Sequence, residues 1–212
     1  VAPLSAHTAL LSAPREASLT DDLKPDDVFK ILEILRRQYE YVVLDAQHTL
    51  DVTTLAALDQ ADDILLVLTL DIPAVRSAQR TLATFDRLGY SRDKVHVVVN
   101  RWAKLIELDL PEVERCLNHR VLGTVQSNYR SVVNSINLGR PLVEADPSSL
   151  ISEQIKRLAA SIRAADGAAA PAEIRERKMR GVWGSLFRRA ADGATHPATV
   201  GLHATISGKL PT

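Results

Sequence analysis

The chain has 212 residues, with 26 lysine and arginine residues against 26 aspartate and glutamate residues, so its formal net charge at pH 7 is zero. This balance gives no global electrostatic argument for binding nucleic acid. Hydrophobic residues make up 46% of the chain, an ordinary value for a globular protein, and the single cysteine, Cys116, excludes an internal disulfide framework. No apolar run approaches the roughly 20 residues of a transmembrane helix, and the first residues lack the pattern of a signal peptide.

Short apolar runs rich in β-branched residues predict the strands. A continuous run of this length is typical of a strand buried on both faces of a parallel sheet. Four such runs occupy residues 41–45, 64–70, 95–99 and 121–125, and a further short strand is predicted over residues 8–13.

Segments with apolar residues at helical spacing separate these strands. They predict helices over residues 26–38, 51–60, 73–88, 107–118, 129–138 and 150–165. Asp51 stands at an expected N-cap, and Gly89 and Gly139 stand where helices should end. Strands that alternate with helices indicate βαβ units, whose right-handed crossovers place helices on both faces of the sheet. We therefore predict an α/β protein, a three-layer α/β/α sandwich with a mostly parallel sheet.

The composition changes after residue 166. We predict a domain over residues 1–166, a linker over 167–173, a basic amphipathic helix over 174–190 and a disordered tail over 191–212. In the helix, six arginine and lysine residues oppose one glutamate, and one stripe carries Met179, Val182, Trp183, Leu186 and Phe187. This composition is typical of a helix that lies on a membrane surface. Docking to a partner protein, or a loosely ordered tail, is the alternative.

Asp45 ends the first long apolar run. Ligands of parallel α/β sheets bind at the carboxyl ends of the strands, so this carboxylate is placed to hold a metal-bound water or the magnesium of a nucleotide. The alternative is that Asp45 caps the turn that follows. Asp71 ends its run in the same way, and we expect it to cap the helix at Pro73. The six histidines show no metal-like spacing, and no Gly-x-Ser-x-Gly motif supports a serine hydrolase.

Four stretches also form a recognisable set. They are residues 41–51 (Tyr-Val-Val-Leu-Asp-Ala-Gln-His-Thr-Leu-Asp), 61–73 (Ala-Asp-Asp-Ile-Leu-Leu-Val-Leu-Thr-Leu-Asp-Ile-Pro), 97–101 (Val-Val-Val-Asn-Arg) and 136–141 (Ile-Asn-Leu-Gly-Arg-Pro). In this order and spacing they resemble the ATPase domain of the CpaE/TadZ pilus-assembly proteins, a branch of the MinD/ParA family of deviant P-loop ATPases. The resemblance covers residues 8–165 and is specific only as a set.

The resemblance implies roles for three residues. Asp45 matches the carboxylate that supports magnesium through water, Asn100 the asparagine that reads the adenine edge, and Arg101 the neighbouring base-packing position. An amide offers a donor and an acceptor side by side, which suits adenine. Taken alone, Asn100 would be a strand-end turn residue and Arg101 a solvated cation. The resemblance further implies ATP and magnesium as cofactors, a homodimer, and a cytoplasmic protein at the inner face of the membrane or the cell pole.

The chain also departs from the family. The Gly-rich loop that cradles phosphates is absent, since none of the nine glycines stands in a Gly-Lys-Ser/Thr context. Without that loop the transferred phosphoryl group lacks electrostatic stabilisation, so we expect that the chain as given does not hydrolyse ATP. Either a P-loop unit and a receiver-like domain precede it in a longer protein, or the chain is a non-catalytic relative.

Three functions follow. The first is a pilus-assembly and localisation factor of the CpaE/TadZ type, a nucleotide-controlled scaffold for the secretion machinery of a Flp pilus. The second is a non-catalytic protein-interaction module. The third, a ParA-type partition factor, requires a basic DNA-binding surface, which the neutral charge disfavours; we expect no nucleic-acid partner.

Overall fold

The structure is a computed structural model that describes residues 1–12, 23–103, 108–168 and 200–207. The chain divides into two compact units, Val1–Asp62 with Ala204–Thr212 and Asp63–His203. Within the described residues, no helix is long and apolar enough to span a membrane.

The first unit begins with a small antiparallel pair and continues as a helix, a strand and a helix. The elements are β1 (Ala2–Pro3), β2 (Ala9–Leu10), α1 (Pro25–Gln38), β3 (Tyr41–Ala46) and α2 (Val52–Gln60). α1 packs against α2, and Leu32, Leu55 and Leu58 are buried there. Of the strand predicted over residues 8–13, only the two residues of β2 are in a strand in the described part of the chain.

β3 differs from its prediction as a strand buried on both faces. Val42 is buried, whereas Val43 is 71% exposed and Tyr41 and Asp45 are also exposed. Because successive side chains of a strand point to opposite faces, one face of β3 is covered and the other is open. The expectation of double burial was wrong, because a hydrophobic run reports the composition of a strand and not what packs on it.

The second unit is an α/β fold with a parallel sheet. β4 pairs in parallel with β5, and β5 pairs in parallel with β6. Helices alternate with these strands along the chain, which confirms the predicted fold class. The elements are β4 (Asp63–Leu68), α3 (Ile72–Leu88), β5 (Val95–Trp102), α4 (Leu110–Leu117), β6 (Val121–Gln126), α5 (Tyr129–Leu138), α6 (Leu142–Ala145) and α7 (Leu150–Ala168).

β4, β5 and α3 supply most of the core of this unit. The fully buried side chains of β4 and β5 include Ile64, Leu66, Leu68, Val97 and Val99. From α3, Ala74, Ala78, Leu82 and Phe85 are buried, a spacing that places them on one side of the helix. β5 is buried on both of its faces, as the hydrophobic run predicted, because Val97, Val98 and Val99 are consecutive.

α7 packs closely on β6 at Gly123. A Cβ atom added to Gly123 would lie 2.6 Å from Cδ2 of Leu158, closer than van der Waals contact allows. A glycine here therefore permits the close approach of the helix to the strand.

Two predictions for the end of the chain need correction. α7 continues to Ala168, so the first two residues of the predicted linker are helical. A strand, β7 (Val200–Ser207), lies inside the segment predicted to be a disordered tail. Val200, Leu202, Ala204 and Ile206 alternate with other residues in the sequence, and this period of two is the strand signal that was missed.

Candidate functional site

The carboxyl end of β5 is irregular. Val99 lies opposite Thr124 of β6, whereas Trp102 lies opposite Gln126, so β5 contains one more residue than β6 over this stretch. An extra residue of this kind is a β-bulge, which bends the strand and redirects its side chains. Asn100 and Arg101, the two residues predicted from the resemblance to contact adenine, form this bulge.

Arg101 has an unusual backbone conformation. Its φ is +53°, in the left-handed region that residues other than glycine rarely adopt. The backbone N–H of Arg101 donates to Oδ1 of Asn100 at 2.8 Å, and both side chains are exposed. Such a conformation costs about 1–3 kcal/mol, and strained residues of this kind cluster at functional sites.

The neighbouring end of β6 is held by hydrogen bonds. The backbone N–H of Ser127 donates to the carbonyl oxygen of Trp102 at 2.9 Å. The N–H of Gln126 donates to Oε1 of Gln154 on α7, also at 2.9 Å. Gln154 therefore supports this end of the sheet through Gln126. The sequence carried no signal for this role, because the two residues are 28 positions apart.

The Asn100 amide keeps both a donor and an acceptor that face solvent. The oxygen of Asn100 already accepts one hydrogen bond from Arg101, so one lone pair and the NH2 group remain to face a base. At its N7 edge adenine presents an N6 donor beside the N7 acceptor, which this amide can match, whereas the N7 edge of guanine presents two acceptors. Beside it, Trp102 is half-buried and Arg101 is exposed, and both residue types stack on flat rings.

Asp45 belongs to the other unit. β3 extends to Ala46, so Asp45 is the penultimate residue of its strand and not the last, and its side chain is exposed. Asn100 and Arg101 are neighbours in the sequence and lie together on the bulge of β5. Among the described residues, no group of three or more His, Cys, Asp or Glu side chains could hold a metal ion.

The two other acidic residues that were predicted at strand ends or helix starts are caps. Asp51 accepts hydrogen bonds from the N–H of Thr54 and the hydroxyl of Thr53, each at 2.8 Å. Asp71 accepts from the N–H of Ala74 at 2.9 Å and begins α3. Burial alone would raise the pKa of Asp51, but these hydrogen bonds outweigh it and hold the pKa below its usual value. Both capping predictions are confirmed.

The amino ends of β4 and β5 carry a polar pair that sequence reasoning missed. Nε2 of His96 lies 2.7 Å from Oδ1 of Asp63, and both side chains are largely buried. Nε2 of His119 lies 2.7 Å from the carbonyl oxygen of Val95. Both contacts join residues that are far apart in sequence, and the Asp63–His96 contact depends on the parallel pairing of β4 and β5.

The predicted membrane or partner contact lies outside the described residues. It comprises Met179, Val182, Trp183, Leu186 and Phe187 of the segment 174–190.

Comparisons with known proteins place these observations in context. No protein-family model matches the chain. The septum site-determining protein MinD of Thermotoga maritima is 26% identical over 146 residues, which cover 66% of this chain and 53% of that protein. An uncharacterized ATP-binding protein of Methanocaldococcus jannaschii is 27% identical over 156 residues, 73% of this chain and 57% of its own length. The chain thus spans about half the length of the curated relatives it matches.

Solved structures share the fold. A ParA family ATPase from Chlorobium tepidum superposes with a TM-score of 0.64 at 17% identity, covering 68% of this chain and 60% of that one. The MinC:MinD cell division complex of Aquifex aeolicus gives 0.60 at 19% identity, with 71% and 62% covered. MinD of Pyrococcus horikoshii, solved with Mg-ADP, gives 0.62 at 14% identity, with 74% and 63% covered. The chain is therefore similar in sequence to MinD and to an ATP-binding protein, and it shares the fold of MinD and ParA family structures.

Proposed function

We propose that this chain is part of a nucleotide-dependent localisation factor of the MinD/ParA-like kind, and that its type is CpaE/TadZ, a scaffold for the secretion machinery of a Flp pilus. The observation that carries the nucleotide part is the bulge at the carboxyl end of β5. It holds Arg101 in a left-handed conformation and presents the amide of Asn100 to solvent. In this role Asn100 reads the adenine edge, and Arg101 packs against the base.

The proposed CpaE/TadZ type rests on the resemblance of the four stretches of sequence described above. In this proposal the protein dimerises across bound nucleotide, with Asp45 supporting magnesium through water, and works in the cytoplasm at the inner face of the membrane. The segment 174–190 adds peripheral membrane contact through its apolar stripe. A single short helix of this sort binds a membrane weakly, so a dimer that presents two of them would anchor far better.

The nucleotide part is tested by titrating the isotope-labelled chain with Mg-ADP and, separately, with Mg-GDP while following NMR signals. We expect the side-chain NH2 signal of Asn100 and the backbone signal of Arg101 to shift when ADP is added. The Kd should be about 1–10 mM, because these two residues contact only the base of the nucleotide. GDP should bind more weakly at this edge, because the N7 edge of guanine carries the N7 and O6 acceptors and offers no donor to the Asn100 oxygen.

A conservative variant makes the test specific. Asn100→Asp keeps an oxygen to accept the Arg101 N–H but removes the NH2 donor, so ADP binding should weaken about tenfold. Asn134→Asp, a matched change at an exposed position of α5, should leave binding unchanged. If ADP causes no shift at Asn100, or if Asn100→Asp binds ADP like the wild type, the nucleotide role is refuted.

The second candidate is a non-catalytic interaction module, which would keep the fold and its surfaces without ATP turnover. Deletion of the gene in the source organism separates a CpaE/TadZ-type pilus factor from a factor of cell division or chromosome partition. Loss of surface pili with normal division and chromosome partition supports the CpaE/TadZ type, and a division or partition defect with normal pili contradicts it.

A further inference from the structure

The helix α5 exposes its apolar side. Tyr129 is 81% exposed, Val132 38% and Ile136 71%, and Val133 is half-buried. The one side chain of α5 that is buried is the serine Ser135. This distribution is the reverse of an ordinary surface helix, which turns its apolar stripe to the core.

These apolar residues form one continuous line. Their positions correspond to i, i+3, i+4 and i+7, the spacing that places side chains along a single helix face. The same spacing is typical of the anchors by which two amphipathic helices pack together. We name these four residues, Tyr129, Val132, Val133 and Ile136, the α5 stripe.

The helix that carries the α5 stripe is well held at both ends. The side chain of Asn128 accepts from the N–H of Ser131 at 3.1 Å and caps the start. Gly139, with φ +60°, ends the helix, and the hydroxyl of Ser135 donates to the carbonyl oxygen of Arg140. α5 also packs against α6. The α5 stripe is therefore presented by a helix that is capped at both ends and packed against a neighbouring helix.

The charged residues of the segment that carries the α5 stripe have one sign. Residues 128–140 contain Arg130 and Arg140, one near each end of the stripe, and no aspartate or glutamate. A second copy of the helix would set arginines against arginines in either orientation, which is unfavourable. A partner with carboxylates beside its own apolar line would be complementary in both apolar surface and charge.

We propose that α5 is a docking surface for an amphipathic helix of a partner protein, with apolar anchors on the α5 stripe and acidic residues beside Arg130 and Arg140. An anionic membrane is the less suitable occupant. The stripe is short, and its two cations supply only about 1 kcal/mol each at a lipid surface. Rigid β-branched side chains such as Val132 and Ile136 suit packing against another helix.

The test uses the full chain and two displayed libraries of helical peptides. Both libraries carry the same varied apolar residues at four anchor positions, and they differ in having Asp/Glu or Lys/Arg beside the anchors. We expect binders to be enriched from the acidic library. Their affinity should fall at least tenfold for Tyr129→Ser/Ile136→Ser, and severalfold for Arg130→Gln/Arg140→Gln with a smaller dependence on salt. Asn134→Ser/Asn137→Ser, on exposed polar positions of the same helix, is the matched control and should not change the affinity.

Several outcomes overturn the proposal. One is equal or better enrichment from the basic library, and another is binding that Tyr129→Ser/Ile136→Ser leaves intact. Failure of both libraries to yield binders is a third. Sedimentation with phosphatidylglycerol vesicles that depends on the α5 stripe would assign the surface to a membrane instead. A dimer in analytical ultracentrifugation that the same variant abolishes would assign it to a second copy.

Discussion

The two ends of β5 differ in how their polar groups are used. At the amino end, His96 pairs with Asp63 and the carbonyl oxygen of Val95 meets the ring of His119, so the polar groups have partners within the chain. At the carboxyl end, Asn100 and Arg101 are exposed on a bulge, and Arg101 is strained. The same strand is thus stabilised at one end and strained at the other. The polar residues of this strand thus divide into those that are paired within the fold at its amino end and those that are exposed on the bulge at its carboxyl end.

The largest effect is expected at the amino end. Asp63→Ala leaves the largely buried His96 ring without its partner, which should lower the free energy of unfolding by about 2 kcal/mol. Urea unfolding at pH 7 measures this. Asp93→Ala, at an exposed position of the short 3-10 helix before β5, should cost less than about 0.5 kcal/mol. If both variants lower the free energy of unfolding by the same small amount, the Asp63–His96 pair contributes nothing to stability.

A smaller effect of opposite sign is expected at the carboxyl end. Arg101→Gly accepts φ +53° without steric cost, so it should raise the free energy of unfolding by about 0.5–1 kcal/mol after the entropy cost of glycine. Arg101→Val places a β-branched residue in the left-handed region and should be destabilising by about 1–2 kcal/mol. The urea midpoints of the two variants should lie on either side of the wild-type value. If glycine destabilises the chain and valine does not, Arg101 is not strained in the folded protein.

A third effect, similar in size to that at Arg101, concerns a polar residue that stabilises the other unit. Asp51→Ala should cost about 1 kcal/mol at pH 7, because the cap of α2 is lost. Since hydrogen bonds hold the pKa of Asp51 below its usual value, its stabilisation is present above the unfolded pKa of about 4 and is lost as pH falls through the folded value.

Urea midpoints measured between pH 7 and pH 2.5 follow this loss. The gap between wild type and Asp51→Ala should shrink below about pH 4. Asp51→Asn supplies a cap that does not titrate, so its advantage over Asp51→Ala should persist at low pH. A gap between wild type and Asp51→Ala that is constant with pH would contradict the role of the ionised carboxylate.

Most of the fold could be predicted because its signals are local. The predicted helix over residues 26–38 is α1, and the strand over 95–99 is the first part of β5. Gly89 ends α3 with φ +78°, as its position in the sequence indicated. The predicted helix over 107–118 is shorter in the described residues, Leu110–Leu117, because helix ends are set by single hydrogen bonds.

The candidate site was predicted in part. Asn100 and Arg101 were named from the sequence, but the bulge was not, because it depends on the register of β5 against β6. The hydrogen bond that the backbone N–H of Arg101 donates to Oδ1 of Asn100 also occupies one acceptor position of the amide, which the sequence did not indicate. The support from Gln154 required the packing of α7 on the sheet.

The sequence by itself determined the alternation of strands and helices and the caps at Asp51 and Asp71, since these depend on residues within one turn of each other. Only the tertiary structure decided the open face of β3, the Asp63–His96 pair and the exposure of the α5 stripe. Each of these depends on contacts between residues far apart in the chain, such as the 33 positions that separate Asp63 from His96. Local preferences select the elements, and what each element packs against decides which of its side chains are buried.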